Sequence, residues 1–278
     1  MKNKKILEKY REVQTETSWS AFKVTCHILK SNESIAESFG SGVFVKVDEN
    51  HFLITAAHVA EGLNFELFVG IDNDTIFRLG GNIVTNNFEG QRENDRFDLC
   101  VLKLCKETVE TIKKSYDFLD KSELGINHIS KKLPMYEIVG FPATKSKYNK
   151  FKKQLKSKAW RYITSPVKEE KYETLKCNKD FNIALNYDRK RVYNFKKETT
   201  QIGPELYGIS GCGLWFTPPK EILTKGQPEK RLVAIITEWP TNNRKFLIAT
   251  KIDLFTEIIR QKYNCNVPKS TILKLNIN

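Results

Sequence analysis

The sequence has no apolar run longer than about five residues, where a membrane span needs roughly 18. It has no Cys-x-x-Cys pair. Its six cysteines, Cys26, Cys100, Cys105, Cys177, Cys212 and Cys265, form no dense framework, so structural disulfides and a zinc site are not expected. Histidine is scarce as well: His27, His51, His58 and His128 lack the spacing of metal ligands, and no metal or other cofactor is expected. Internal repeats and low-complexity tracts are absent, as are the helix-turn-helix, zinc-finger and aromatic RNA-binding signatures of nucleic-acid-binding modules. Met1 to Lys5 is basic enough to open a signal peptide, but Glu8, Lys9, Arg11 and Glu12 interrupt the apolar stretch that should follow, so a cytoplasmic location is expected.

What is present describes an ordinary globular protein of one or two domains. The chain has 278 residues, 40% of them hydrophobic and 28% charged, enough to bury a substantial core. Ile6 to Val13 is charged and helix-permissive. Short strand-like runs then take over at Ala21 to Leu29, Ser41 to Val47, His51 to Thr55, Phe65 to Val69 and Leu99 to Leu104, each rich in β-branched or aromatic residues and separated by turn signals. Lys106 to Tyr116 reads as a short helix or connector. A second set of strands follows at Tyr136 to Val139, Phe181 to Tyr187, Leu214 to Phe216, Leu232 to Thr237 and Phe246 to Thr250. Asp253 to Tyr263, with an N-cap Asp and apolar Leu254, Ile258 and Ile259, predicts a closing amphipathic helix.

Three segments carry chemistry. Gly208-Ile209-Ser210-Gly211-Cys212-Gly213 sets a serine between glycines, Thr55-Ala56-Ala57-His58 ends a strand-like run, and Asp98 lies between Phe97 and Leu99. A nucleophilic hydroxyl needs a base to take its proton, a carboxylate to orient that base, and N–H groups to receive the oxyanion. Each segment alone also has a plainer reading: a tight turn, a satisfied histidine at a strand end, a paired carboxylate. Asp98 between two apolar residues nevertheless calls for a partner, because an unpaired buried charge is costly.

Together, in the order His, Asp, Ser, these segments resemble the trypsin-like (chymotrypsin-fold) serine peptidases. Ser41-Gly42-Val43-Phe44-Val45 and Leu53 to His58 resemble their first-barrel strands and histidine motif; Phe97 to Leu102 resembles their aspartate segment, and Gly208 to Gly211 their serine loop. Leu232 to Thr237 resembles the strand beside their specificity pocket, with Thr237 at the position of a small hydroxyl residue that supports the aspartate. The resemblance spans about Phe39 to Ile252. The α/β-hydrolase alternative fails, since its serine comes first in the chain and its second glycine stands two residues after the serine, where this chain has Cys212.

The resemblance implies an all-β fold of two antiparallel six-stranded-type β-barrels, with a short N-terminal helix and a C-terminal helix. Residues 1–20 would form an N-terminal helical extension, 21–125 the first barrel with His58 and Asp98, and 126–278 the second barrel with Ser210 and the C-terminal helix. The implied site has His58, Asp98 and Ser210 as catalytic residues, the N–H groups of Gly208 and Ser210 as oxyanion hole, and Thr237, Glu238 and Trp239 on the substrate side. Ile209 stands where zymogen-activated members carry an aspartate, and Val59 where a bracing cysteine would follow the histidine. The pattern is closer to an intracellular bacterial trypsin-like peptidase, a group that includes housekeeping proteases and effectors of stress and phage defence. Pro204 occupies the position that is acidic in relatives cleaving after arginine or lysine, and Glu205 is its neighbour.

Charge is the remaining feature. The chain carries a formal +13, and Lys145 to Lys158 holds seven lysines, no acid, and the aromatics Tyr148 and Phe151. Two accounts stand: a solvated loop of the second barrel, or a footprint for nucleic acid or an acidic partner. The stretch Lys145 to Gln201 is long for a barrel connection. It contains a helix-like Glu169 to Lys176 and a hairpin candidate at Asp188-Arg189-Lys190, between Phe181 to Tyr187 and Val192 to Phe195, and reads as an elaboration able to cover the cleft. The expected function is therefore a serine endopeptidase acting on protein or peptide substrates, with an activating partner protein conceivable and no membrane involved. The alternative is a catalytically silent protease-fold module that binds a protein or nucleic acid through its basic loop.

Overall fold

The computed structural model describes residues 19–32, 35–71, 75–86, 88, 90, 95–130, 136–149, 154–194, 199–218 and 230–273. The helix expected at Ile6 to Val13 lies outside them. Strands β1 (Thr25–Asn32), β2 (Ile35–Val47), β3 (Asn50–Ala56), β4 (Phe68–Gly70), β5 (Ile76–Arg78), β6 (Gly81–Thr85), β7 (Leu99–Leu104) and β8 (Leu119–Asp120) build a first sheet in the order β5-β4-β1-β2-β3-β7-β6, with the short β8 parallel to β2. In the second half come β9 (Tyr136–Gly140), β10 (Ser146–Asn149), β11 (Gln154–Ser157), β12 (Trp160–Thr164), β13 (Asn182–Asn186), β14 (Val192–Asn194), β15 (Thr199–Gln201), β16 (Gly213–Phe216), β17 (Arg231–Glu238) and β18 (Phe246–Lys251). Six of them form an antiparallel sheet in the order β12-β9-β16-β17-β18-β13, while β10-β11 and β14-β15 are separate hairpins.

The burial pattern explains why these segments are strands and where they sit. β3 and β7 are apolar and buried almost throughout, which is what a strand covered on both faces requires. One core fills the first half around Ile28, Phe44, Leu53 and Leu102, and another fills the second around Ile138, Leu185, Leu214 and Ile236. A third core joins them: Val43, Val45, Phe52 and Val101 of the first sheet meet Val139, Trp215 and Ile235 of the second, sealed by Leu254, Phe255 and Ile258 of the C-terminal helix Ile252–Lys262. Each fully buried aliphatic or aromatic side chain contributes on the order of 1.5–3 kcal/mol, so this shared core locks the two sheets at a fixed spacing.

Several local expectations are corrected. Residues 21–24 are the end of a helical turn and β1 starts only at Thr25. Phe65 is in a turn with φ +61° and β4 begins at Phe68. The hairpin expected around Asp188 does not form: β13 pairs with β18, β14 pairs with β15, and Asp188 instead caps a single turn, Arg189–Arg191, by accepting from the Lys190 N–H at 3.0 Å. A local hairpin lost to a long-range pairing because β18 offered a fully buried partner edge. The helix after β18 is capped at Lys251 rather than Asp253, whose buried carboxylate accepts from the Asn127 N–H at 2.9 Å and the Ser270 hydroxyl at 2.7 Å. The lysine-rich segment is also not a plain loop, since its described parts are the paired strands β10 and β11.

Candidate active site

β3 runs directly into the short helix Ala57–Glu61, and this change of direction puts His58 just past the end of β3. β7 begins next to it, Leu99 pairing with Ala56, with Asp98 just before its first residue. Asp98 adopts φ +43°, a left-handed conformation that aspartate tolerates better than most residues and that still costs on the order of 1 kcal/mol or more. The strain turns both carboxylate oxygens onto one residue. Oδ2 lies 2.6 Å from His58 Nδ1, and Oδ1 accepts the His58 backbone N–H at 2.9 Å. The Asp98 carbonyl accepts the Ala57 N–H at 3.1 Å. Burial pushes the Asp98 carboxyl above its ordinary range, opposed by these bonds to His58. The carboxylate therefore fixes the ring orientation and leaves Nε2 turned away from it.

Ser210 arrives from the second sheet on a loop shaped by two glycines. Gly208 has φ +81° and Gly211 φ +89°; a Cβ on Gly211 would lie 1.9 Å from the Ser41 carbonyl oxygen, so only glycine fits. The loop is joined to β2 through Ser41, which is wholly buried. Its N–H donates to the Ser210 carbonyl at 2.8 Å, its hydroxyl donates to the Gly208 carbonyl at 3.1 Å and accepts the Phe141 N–H at 3.1 Å, and its own carbonyl accepts the Thr55 hydroxyl at 2.8 Å. Gly211 N–H donates to Ile236 at 2.7 Å and Ala143 N–H to Tyr207 at 2.6 Å. Among the described residues, the N–H groups of Gly208 and Ser210 have no acceptor, which leaves two donors free on either side of Ile209.

The Ser210 hydroxyl donates to the Thr237 carbonyl at 3.5 Å. That carbonyl is available because β17 bulges there: Ile236 pairs with Ala249 and Glu238 with Ile248, leaving Thr237 as the extra residue. The Thr237 side chain does not reach Asp98 as the sequence suggested. It lies 3.3 Å from the Thr250 hydroxyl, and Thr250 in turn donates to the Phe97 carbonyl at 2.8 Å. Support for the aspartate thus comes one residue upstream, through the backbone, from a threonine on β18 that no motif marked. Glu238 is not a free wall of the groove: its carboxylate meets Arg96, two residues before Asp98, at 2.5 Å, and this ion pair crosses from the second sheet to the first.

A second histidine stands behind the serine loop. His27 is buried, its Nε2 2.7 Å from the Ser38 hydroxyl and its Nδ1 2.9 Å from the Ser157 hydroxyl, with its ring stacked on Phe141 at 5.1 Å. Burial pushes it down to about 4. Through Ser157 it docks the β10-β11 hairpin onto the first sheet, which brings the basic segment alongside the site.

Against solved structures, the chain is similar to GrC, a granzyme, with a TM-score of 0.54 at 13% identity, over 88% of this chain and 96% of that one. It is similar also to neuropsin, a serine protease expressed in the limbic system of mouse brain, with a TM-score of 0.55 at 14% identity and the same coverage. The chain has the chymotrypsin fold. At such identity the likeness speaks for architecture: two curled antiparallel half-barrels and a C-terminal helix. No family model matches the chain, and no curated protein matches it in sequence. In this chymotrypsin fold the candidate residues all lie where the two half-barrels meet, His58 and Asp98 on the first and Ser210 on the second. Among the described residues no three His, Cys, Asp or Glu side chains gather as a metal site, and no helix is long and apolar enough to cross a membrane.

Trp239, expected from sequence on the substrate side, sits in an aromatic corner. Trp239 packs edge-on to Tyr207 at 5.5 Å, and its indole N–H donates to the Arg244 carbonyl at 3.2 Å. Glu205, next to Pro204, accepts from Arg189 at 3.0 Å and lies 3.8 Å from Arg244. Its charge is already answered from within the chain. Sequence reasoning missed Ser41, Thr250 and Arg244. Ser41 stood inside the first-barrel motif, but nothing local marks a serine whose hydroxyl joins residues 100 and 167 positions away.

Proposed function

We propose that the chain is a serine endopeptidase that cleaves peptide bonds through an acyl-enzyme formed on Ser210. The observation that supports this reading is the pair of hydrogen bonds joining His58, through its ring and its backbone N–H, to Asp98, together with a serine that the second half-barrel carries between two left-handed glycines. In the proposed cycle Ser210 Oγ attacks the substrate carbonyl carbon while His58 Nε2 takes the hydroxyl proton. The tetrahedral oxyanion is received by the N–H groups of Gly208 and Ser210, and the C–N bond breaks as His58 returns the proton to the leaving amine. Water, deprotonated by His58, then releases the acyl group. Before attack the hydroxyl must turn from the Thr237 carbonyl to His58, a rotation about one side-chain bond.

In its finer form the proposal is a regulated intracellular protease of bacterial type, a stress or phage-defence effector acting on protein substrates; six free cysteines support a reducing compartment. The test is intact mass after treatment with a serine-reactive fluorophosphonate, on the native chain, Ser210→Ala and His58→Ala. A single adduct on the native chain, lost in both variants, is the expected result. No adduct on a folded native chain, together with salt-sensitive binding of nucleic acid that Ser210→Ala leaves intact, would replace the peptidase by the binding module.

A further inference from the structure

Arg244, in the turn between β17 and β18, is held in a cage made of the two segments that flank the serine. Its guanidinium lies 5.0 Å from the centre of the Trp239 ring and 5.7 Å from that of Tyr207, and its Nη2 donates to the Tyr207 hydroxyl at 2.8 Å. Tyr207 immediately precedes Gly208 and stands three residues before Ser210, a chain distance of at most about 11 Å. Trp239 comes two residues after Thr237, whose carbonyl accepts the Ser210 hydroxyl. The cage is therefore anchored on the two segments that reach Ser210.

The charges around it do not cancel. Arg189 and Arg244 share one carboxylate, Glu205, and Arg189 holds it the more closely, at 3.0 Å against 3.8 Å. Arg189 is further anchored by its Nε, which donates to the Gly203 carbonyl at 3.1 Å. These three described groups carry an excess of one positive charge, and 45% of the Arg244 side chain remains exposed. Two aromatic faces and a phenol hold the planar guanidinium, so less rotamer freedom is left to lose when it binds a second partner. A basic side chain entering the same corner would find Glu205 already paired and would have to expel Arg244 to reach the rings.

We propose that Arg244 is a specificity-determining residue that recognises a carboxylate side chain of the substrate within a few residues of the cleaved bond. The inference rests on the peptidase reading of Ser210.

The test uses fluorogenic peptide pools in which flanking positions carry Glu, its neutral isostere Gln, or Lys, cleaved by the native chain, Arg244→Ala and Arg244→Glu. The expected native preference for Glu over Gln is about tenfold in kcat/KM, in line with a charge-assisted bond at a half-exposed site. It falls to parity in Arg244→Ala, turns toward Lys in Arg244→Glu, and weakens with added salt. Equal cleavage of Glu and Gln pools, or a native preference for Lys, overturns the proposal while leaving the peptidase standing. Should the native chain cleave nothing and take no fluorophosphonate, the peptidase reading falls by itself. Arg244 is then judged by the anisotropy of a labelled Glu-rich peptide against its Gln counterpart, where equal binding overturns it.

Discussion

On the first half-barrel, Asp98 commits both carboxylate oxygens and its carbonyl to two consecutive residues, Ala57 and His58, so the acid–base pair is complete within one sheet. The serine loop of the second half-barrel is held differently. Its carbonyls at Gly208 and Ser210 are gripped by Ser41 of the opposite sheet, and its hydroxyl rests on a bulge carbonyl rather than on the base. One side is preset by a strained residue and a desolvated charge; the other takes its position from its neighbour. Assembly of the proposed site is therefore a property of the join between sheets, and variants divide by which side of that join they disturb.

Asp98→Asn acts on the preset side and has the largest expected effect. Loss of the carboxylate lets the ring adopt the wrong tautomer, and kcat should fall by about 10⁴-fold, the loss typical of this change in a Ser-His-Asp site. Stability should move the other way. Because burial raises the Asp98 pKa, the folded state holds its proton more tightly than the unfolded state, so stability falls as pH rises above the ordinary carboxylate value. Removing the charge relieves that cost, and thermal unfolding at pH 7 should show a midpoint no lower than that of the native chain.

Ser41→Ala acts on the borrowed side. It removes the hydroxyl between the Gly208 carbonyl and the Phe141 N–H and leaves both part-buried groups without that partner, a cost of about 1 kcal/mol in denaturant unfolding. The oxyanion donors move with the loop, so kcat should drop by up to about 100-fold with KM little changed, which simple loss of stability would not produce. Third comes the cross-sheet pair. A double-mutant cycle of Arg96→Ala and Glu238→Gln should return a coupling of about 1 kcal/mol, since both side chains are less than one-third exposed, and a coupling near zero would remove the pair from the join.

The last effect concerns pH and His27, whose two hydroxyl partners come from the two halves. Its folded pKa is depressed to about 4 while its unfolded value is about 6.5, so the folded state binds fewer protons in that window. The stability it contributes is present above pH 6.5 and is lost as pH falls toward 4. His27→Gln should flatten this acid limb of the stability curve, as read by unfolding at pH 7 and pH 5.

Legibility followed range. His58, Asp98 and Ser210 stood out because each sits in a short pattern whose reason is local: a strand end, a carboxylate among apolar residues, a glycine-flanked turn. The strands β3, β7, β16, β17 and β18 were legible from apolar periodicity within about a residue at either end. What escaped depends on distant pairing. The β13–β18 ladder overrode the local hairpin signal at Asp188, the β10–β11 hairpin lay under a run of lysines, and Thr250 reached the aspartate segment from another sheet. The role expected of the Thr237 hydroxyl went to Thr250 because the bulge at Thr237 presents its carbonyl, not its side chain, to the serine.

The contacts that frame the serine loop are mostly made by main-chain atoms: Ser41 N–H to Ser210, Gly211 N–H to Ile236, Ala143 N–H to Tyr207. Amides and carbonyls are the same on every residue. Provided that glycine stays at 208 and 211, a small hydroxyl at 41 and compact apolar side chains at the buried Leu206, Ile209 and Cys212, the remaining side chains along the loop are free to drift without shifting the frame. A protein built this way can change its vocabulary almost entirely and keep its grammar, and its kinship is then found in the arrangement of its backbone rather than in its letters.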